Sequence, residues 1–336
     1  MEFLDPLTGP GWEDERDPTL DTHFFQTSSW MQTLHSAYGY RPILARLLDN
    51  GQTRLSLPLM EVESSLTGKR GISLPFTDYC GPIGPHPSEF PELVDSLLDY
   101  GAKRSWKYLE LRGGAEFIEN APPSTSFWRH QLSLALPEAS LFSSLSSSTR
   151  RAIRKSERSP NLSVSDELSI ESLKQFYGLM QRSRKRQGLP PQPFRFFKSL
   201  FENALDQGKG RLFLAHANDR PVAGALFLHH GRHVIYKFGA SDKRYQEYRA
   251  NNLVMWRAIQ TYAAEGFETL DFGRTSLDNE GLRRFKLGWG STESKDSYLR
   301  YQFSTRQWVS SSDQSSGWHT RLFRLMPIPM LRAVGA

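Results

Sequence analysis

Cysteine is nearly absent from this 336-residue sequence. Cys80 stands alone, which excludes an internal disulfide and leaves no paired-thiol redox motif. No run approaches the roughly 20 apolar residues that cross a bilayer as a helix. The opening segment MEFLDPLTGPGWEDERD is acidic and broken by proline, so it predicts no signal peptide and a cytoplasmic protein. A glycine-rich phosphate loop and a His-Arg-Asp catalytic loop are both missing upstream of Asp271-Phe272-Gly273. That triplet therefore does not mark a protein kinase.

What the sequence does hold is apolar and basic. Hydrophobic residues make up 38% and aromatics 12%, which fits a globular chain with room for two domains of ordinary size. The net charge of +6 is unevenly spread: residues 150–195 carry eleven Lys or Arg against four acids, and the remainder is close to neutral. A basic face calls for an anionic partner, whether phosphate, nucleic acid or a lipid surface. Within it, TRRAIRKSERS sets Arg150, Arg154 and Arg158 at i, i+4 and i+8 on one helical face, with Lys155 beside them. QRSRKRQG ends a long helix on Arg182, Arg184, Lys185 and Arg186. Either cluster alone reads as a solvated face or as a complement to the helix dipole; both together favour phosphate binding.

The element order repeats. In the first half Ser28 and Ser29 cap a helix over Trp30–Tyr38. Strands Pro42–Leu48 and Thr53–Val62 follow, joined by an Asp49-Asn50-Gly51 hairpin turn, then a helix over Ser88–Arg104 and the strand KYLELRGG. A strand over Arg129–Leu136 closes this half. The second half has helices Thr149–Arg158, Ile170–Arg186 and Phe194–Gln207. Its hairpin, Arg211–His216 with Val222–His229, turns at Asn218-Asp219; strand Arg232–Gly239, helix Asn251–Gly266 and strands at Thr269 and Ser297–Phe303 complete it. This order predicts an α+β protein of two tandem acetyltransferase-like (GNAT-like) domains, each a mixed, mainly antiparallel sheet flanked by helices. The expected boundaries are residues 1–137 and 138–310, with a linker and amphipathic basic tail over 311–336. That tail either lies on an anionic membrane surface or packs on the first domain.

TLDFGRTSLDNEGLRRFKLGWG, Thr269 to Gly290, is the stretch around which the rest is organised. A short apolar strand is expected to break at Gly273, and Asn279 and Glu280 to start a helix carrying Arg283, Arg284 and Lys286. Phe285 is expected to bury beside Trp289 at i+4. D-F-G followed by G-L-x-x-F-K-x-x-W-G resembles the C-terminal signature of the Fem-type (FemABX) aminoacyltransferases, which build peptidoglycan cross-bridges from aminoacyl-tRNA. VIYKFGAS resembles their Y-x-Y-G-A-S segment, with Tyr236 matched and Phe238 replacing the second tyrosine. Ser183 to Leu189 resembles their T-x-x-R-x-x-F motif, with Arg186 as the matching cation. Arg274 stands where those enzymes often carry glycine, which points toward a different acceptor.

The resemblance implies amide formation by transfer of an aminoacyl group from tRNA to an amine of a cell-envelope precursor. Lys286 would face the developing oxyanion, and Asp271 would position or deprotonate the amine. Arg154, Lys155 and Arg186 would hold phosphates, while Tyr236, Arg274 and Phe285 would contact substrate. No cofactor or metal is expected; aminoacyl-tRNA is the donor, with acyl-CoA less favoured. An acetyl-CoA enzyme cradles pyrophosphate on a loop of the form Q/R-x-x-G-x-G/A, and here Arg249 occupies the first glycine position, where a side chain hinders close backbone approach. Two alternatives stay open: an acyl-CoA or acyl-carrier N-acyltransferase of exopolysaccharide synthesis, and an inactive nucleic-acid or lipid-binding module. His229, His230 and His233 lack an acidic or cysteine partner for a metal, and Glu110 with Arg112 reads as a structural ion pair.

Overall fold

The computed structural model describes residues 1–8, 22–64 and 68–310, so the tail over 311–336 lies outside the described residues. Two compact units emerge. One comprises the described residues of Met1–Trp128 together with 295–310, the other Arg129–Ser294.

In the first unit β1 (Glu2–Leu4), β2 (Arg41–Asp49), β3 (Gln52–Ser64) and β4 (Gly68–Ile72) form an antiparallel meander. Asn50 and Gly51 turn the β2–β3 hairpin with φ of 50° and 82°, the pair of positive values that an Asn-Gly hairpin supplies. Helix α1 (Ser28–Tyr38) starts at the expected cap, not after it: Thr27 is the N-cap, and Ser28 and Ser29 lie in the first turn. Helix α2 (Phe90–Lys103) buries Phe90, Leu93, Val94 and Leu97 at helical spacing against Leu55, Leu57 and Leu59 of β3. It leads to β5 (Tyr108–Leu111), parallel to β4. Glu110 is buried between the guanidinium groups of Arg112 and Arg300, each at 2.8 Å. Burial works to raise its pKa, and the two cations outweigh it and hold the carboxyl below its usual range.

The second unit adds α3 (Glu138–Ser144), α4 (Ser147–Glu157), β7 (Leu162–Ser165), α5 (Ile170–Gln187) and α6 (Phe194–Leu200). A π-turn over Phe201–Leu205 ends the helix expected to reach Gln207. Strands β8 (Gly210–Ala217), β9 (Arg220–His230) and β10 (His233–Ser241) form a second antiparallel meander, turned by Asn218 and Asp219 at positive φ. Helix α7 (Ala250–Ala264) returns the chain to β11 (Thr269–Ser276), parallel to β10, and α8 (Glu280–Leu287) follows. Val254, Ala258, Ile259 and Tyr262 of α7 pack on Phe213, Phe227 and Val234 of the meander.

The expected pair of separate tandem sheets is corrected. With β6 (Thr125–Ser133), β12 (Thr292–Gln302) and β13 (Gln307–Trp308), the strands join in one thirteen-stranded sheet of order β1-β2-β3-β4-β5-β12-β6-β11-β10-β9-β8-β7, with β13 on β12. Strands β6 and β12 contribute residues to both units, so one mixed sheet flanked by helices replaces two. Order along a sheet is set by pairing between distant segments, and the sequence of elements alone does not carry it.

Candidate active site

Strands β10 and β11 pair in parallel over three positions, His233↔Thr269 to Ile235↔Asp271, and then part. Each strand carries an irregularity just past that point. On β10 the register shifts at Lys237, so that Tyr236 pairs with Phe227 and Phe238 with Leu226. On β11 Gly273 has a φ of 69°, and its N–H donates to Asp271 Oδ1 at 2.7 Å. Gly273 therefore kinks the strand rather than ending it, and β11 continues to Ser276.

The bulge also breaks the alternation of β10. Simple alternation puts Tyr236 and Phe238 on one face; instead they face opposite sides. Tyr236 lies with Phe227 and Phe272, ring centroids 5.5 and 6.3 Å away, on the side of α7. Phe238 packs on Phe196 and Phe197 of α6. The Tyr236 ring reaches Gly239, where a Cβ would sit 1.7 Å from the phenol oxygen. Burial pushes that phenol up to about 12, so it stays protonated at neutral pH.

Three cavities meet around Phe285. One of about 200 Å³ is lined by Ser183, Arg186, Tyr236, Gly239, Met255 and Phe285. A second, about 420 Å³, opens at the first turn of α7, with Arg186, Ser241, Arg249, Asn251 and Phe285 on its walls. The third, about 700 Å³, lies among α4, α8 and the start of α7. Arg186 donates to the Ser241 carbonyl at 3.3 Å, and Ser183 and Ser241 exchange hydrogen bonds at 3.1 and 3.2 Å, which fixes the end of α5 on β10. Asn251 Nδ2 donates to Ser241 Oγ at 3.1 Å and ties α7 to the same strand end.

Helix α8 begins as expected, with Asn279 Oδ1 accepting from the Leu282 N–H at 3.1 Å. Phe285 meets the buried Trp289 edge to face at 6.2 Å. Lys286 lies on the opposite side from solvent: it is 3% exposed, and its Nζ donates to the Gly273 and Arg274 carbonyls at 2.7 and 3.0 Å. The ammonium thus sits on β11 just beyond the end of its pairing with β10. Asp271 Oδ2 accepts from Arg129 Nε at 2.6 Å, so its carboxylate is engaged on both oxygens.

A buried polar group adjoins these residues. His130, fully buried, bonds Glu293 through Nε2 at 3.0 Å, while Nδ1 has no partner among the described residues. Arg283 clamps Glu293 with two bonds of 2.7 and 2.8 Å, and this pairing holds the Glu293 carboxyl below its usual range. Burial, then the Lys286 charge, lowers the His130 pKa against the pull of Glu293.

The structure brings Arg186, Tyr236 and Phe285 to one cavity and Lys155 with Phe285 to another. Arg154 is not in these walls; its guanidinium stacks over Phe142 at 5.4 Å. Arg150 caps the end of α3 by donating to the Ser143 and Leu145 carbonyls, both at 2.6 Å. The cations that turn toward the cavity are Arg151 and Lys155, one residue further round α4, joined by Arg249 and Arg284. Arg274 is exposed on β11. Of the histidine trio, His229 bonds the Gly208 carbonyl at 2.7 Å and His233 bonds Thr269 at 2.7 Å. No cluster of His, Cys, Asp and Glu among the described residues is arranged to hold a metal. No helix among the described residues is long and apolar enough to cross a membrane.

Residues 143–296 match the acetyltransferase (GNAT) domain family. No curated protein matches the sequence significantly. Among solved structures the chain is similar to FemX, with a TM-score of 0.67 at 14% identity over 91% of this chain and 98% of that one. It is also similar to L-PGS from Bacillus licheniformis, TM-score 0.53 at 12% identity over 90% and 92% of the two chains. A tandem GNAT protein from the clavulanic acid biosynthesis pathway gives 0.53 at 10% identity, over 82% and 87%. These likenesses show that the chain shares its fold with these structures.

Proposed function

We propose that the protein is an aminoacyltransferase. An amine of a cell-envelope precursor attacks the ester carbonyl of an aminoacyl-tRNA in the cleft where β10 and β11 part, an amide forms, and the tRNA 3′-terminal hydroxyl leaves. The observation that carries this reading is the cleft itself: parallel strands that separate after three paired residues, with Tyr236, Phe285 and Arg186 around the adjoining cavity. Support for an aminoacyl donor and an envelope acceptor comes from the likeness of fold to FemX and L-PGS and from the basic walls of α4 and α8.

Each residue then has a task. Lys286, held on the Gly273 and Arg274 carbonyls, presents a cation to the carbonyl oxygen as charge develops on it. Asp271, paired with Arg129, orients the incoming amine. Tyr236 lines the channel, and Phe285 separates its compartments. Lys155 and Arg186 hold donor phosphates, with Arg154 and Arg274 as outlying cations. The proposed tRNA donor puts the reaction on the cytoplasmic side, with the enzyme cytoplasmic or peripheral at the inner face of the membrane.

An acyl-CoA donor is the second reading, favoured by the cavity of about 420 Å³ at the first turn of α7. One assay separates the two. A labelled aminoacyl group is followed from tRNA into acid-stable amide, with muropeptide and amino-sugar precursors as acceptors, beside a parallel reaction supplied with labelled acetyl-CoA. Amide label from tRNA alone supports the first reading; label from acetyl-CoA alone replaces it with the second.

A further inference from the structure

The largest of the three cavities has walls of one charge. Arg151 and Lys155 from α4, Arg284 from α8 and Arg249 at the head of α7 converge on about 700 Å³, and no carboxylate among the described residues lines it. Among the described residues none of these four cations pairs with an acid, so their mutual repulsion is left unrelieved by the protein. The opening turn of α4 adds the hydroxyls of Ser148 and Thr149. Its position is fixed, because the Ser146 N–H donates to the Gly288 carbonyl at 3.0 Å and Ser146 Oγ caps the helix on Thr149.

Arg249 holds a conformation that an arginine rarely adopts. It is the N-cap of α7 with φ 54° and ψ 31°, the left-handed region that favours glycine. Its side chain makes no capping bond and lines both this cavity and the neighbouring one at the α7 turn. The strained backbone at Arg249 thus carries a guanidinium that makes no capping bond and is directed to the two cavities.

We propose that this cavity binds a phosphate-ester anion and that Arg249 sets which donor is accepted, by drawing the donor's phosphates toward Arg151, Lys155 and Arg284 and away from the bare turn of α7. The cavity takes the phosphodiesters next to the reactive end of a nucleic acid, or the diphosphate of a coenzyme; both present the same chemistry to a guanidinium cluster. The identification with a nucleic-acid end rests on the transfer reading above; the site does not.

Calorimetry with the full chain distinguishes these. The probes are the trinucleotide C-C-A, coenzyme A and inorganic pyrophosphate, and the variants are Arg249→Ala, Arg249→Gly, Lys155→Ala and, as a charge control on α2, Lys103→Ala. The trinucleotide is expected to bind, Arg249→Ala and Lys155→Ala to weaken it by about tenfold or more, and Lys103→Ala to leave it unchanged. Arg249→Gly is expected to weaken it equally while the melting temperature holds or rises by up to about 2 °C, since glycine suits the left-handed backbone. Coenzyme A showing that pattern in place of the trinucleotide keeps the site and rejects the tRNA donor. The proposal is overturned if no probe binds, if affinity ignores Arg249, or if Arg249→Gly melts lower with binding intact. Aminoacyl transfer that proceeds with an unchanged KM in Arg249→Ala overturns the site and leaves the transfer reading standing.

Discussion

The hydroxyl of Tyr236 occupies the space that a side chain on Gly239 would fill, 1.7 Å from the position of its Cβ. The bulge at Lys237 makes this contact, because it turns Tyr236 back along its own strand toward a residue three positions on. Gly239→Ala must therefore expel the phenol from the wall of the smallest cavity. The expected result is a loss of transfer activity with a stability cost of roughly 1–3 kcal/mol, the usual range for overpacking. Tyr236→Phe in the same chain removes the nearest atom and should restore part of the stability. Denaturant unfolding of the two single variants and the double variant checks it: purely additive costs would mean the residues do not meet.

Lys286 contributes to stability as well as to the site. Its ammonium satisfies two carbonyls of a kinked strand in a buried position. Lys286→Ala should lose roughly 1–3 kcal/mol in urea unfolding, the cost of leaving buried polar groups unpaired. Lys286→Arg should lose less yet not match lysine, because a planar guanidinium is bulkier than the space an ammonium fills. An unfolding midpoint for Lys286→Ala equal to that of the wild type would contradict the burial.

His130 makes folding sensitive to acid. Burial, and after it the Lys286 charge, lowers its pKa below the ordinary 6.5, while Glu293 and Asp271 act in the other direction. The unfolded chain therefore binds a proton more readily than the folded one. Stability from this group is complete above about pH 6.5 and is lost as the pH falls through the lower, folded value. His130→Gln should flatten the fall in melting temperature below pH 6.5. Parallel curves for the two proteins would remove His130 from the account.

Binding of tRNA should weaken steeply between low and moderate salt. The slope of log affinity against log salt should shrink by about one unit in Lys155→Ala or Arg186→Ala. Arg154→Ala should change it less, since Arg154 stacks on Phe142 outside the cavity walls. Equal slopes in all four proteins would mean that the phosphates lie elsewhere.

The features legible in the sequence were local ones. Asn50-Gly51 and Asn218-Asp219 announce their hairpins because positive φ is a property of those residues themselves, and both pairs adopt it. Asn279 caps α8, and Phe285 meets Trp289 one turn on, because helical spacing is short-range. The rest depended on partners far along the chain. The single sheet follows from which strands pair, and the Lys237 bulge from the register with β9, so period-two alternation misplaced Phe238. Lysine is rarely buried, so nothing in the sequence marks Lys286 as an inside residue; two carbonyls thirteen and twelve residues away hold it there. On α4 helical spacing defines a basic face but not its rotation, and it is Arg151, not Arg154, that meets the cavity. Arg249 stands in the sequence where a phosphate loop has glycine, and its backbone keeps the glycine-like conformation, which only the fold around it reveals.

The central claim is that amide formation takes place where β10 and β11 part and depends on Lys286. Single-turnover transfer from labelled aminoacyl-tRNA, measured at a temperature where circular dichroism shows each variant folded, tests it most directly. The account predicts that Lys286→Ala binds the donor nearly as well as the wild type and transfers roughly 10²–10³ times more slowly, the usual cost of one oxyanion donor. Lys286→Arg should recover part of that loss. Transfer by folded Lys286→Ala at the wild-type rate would contradict the account.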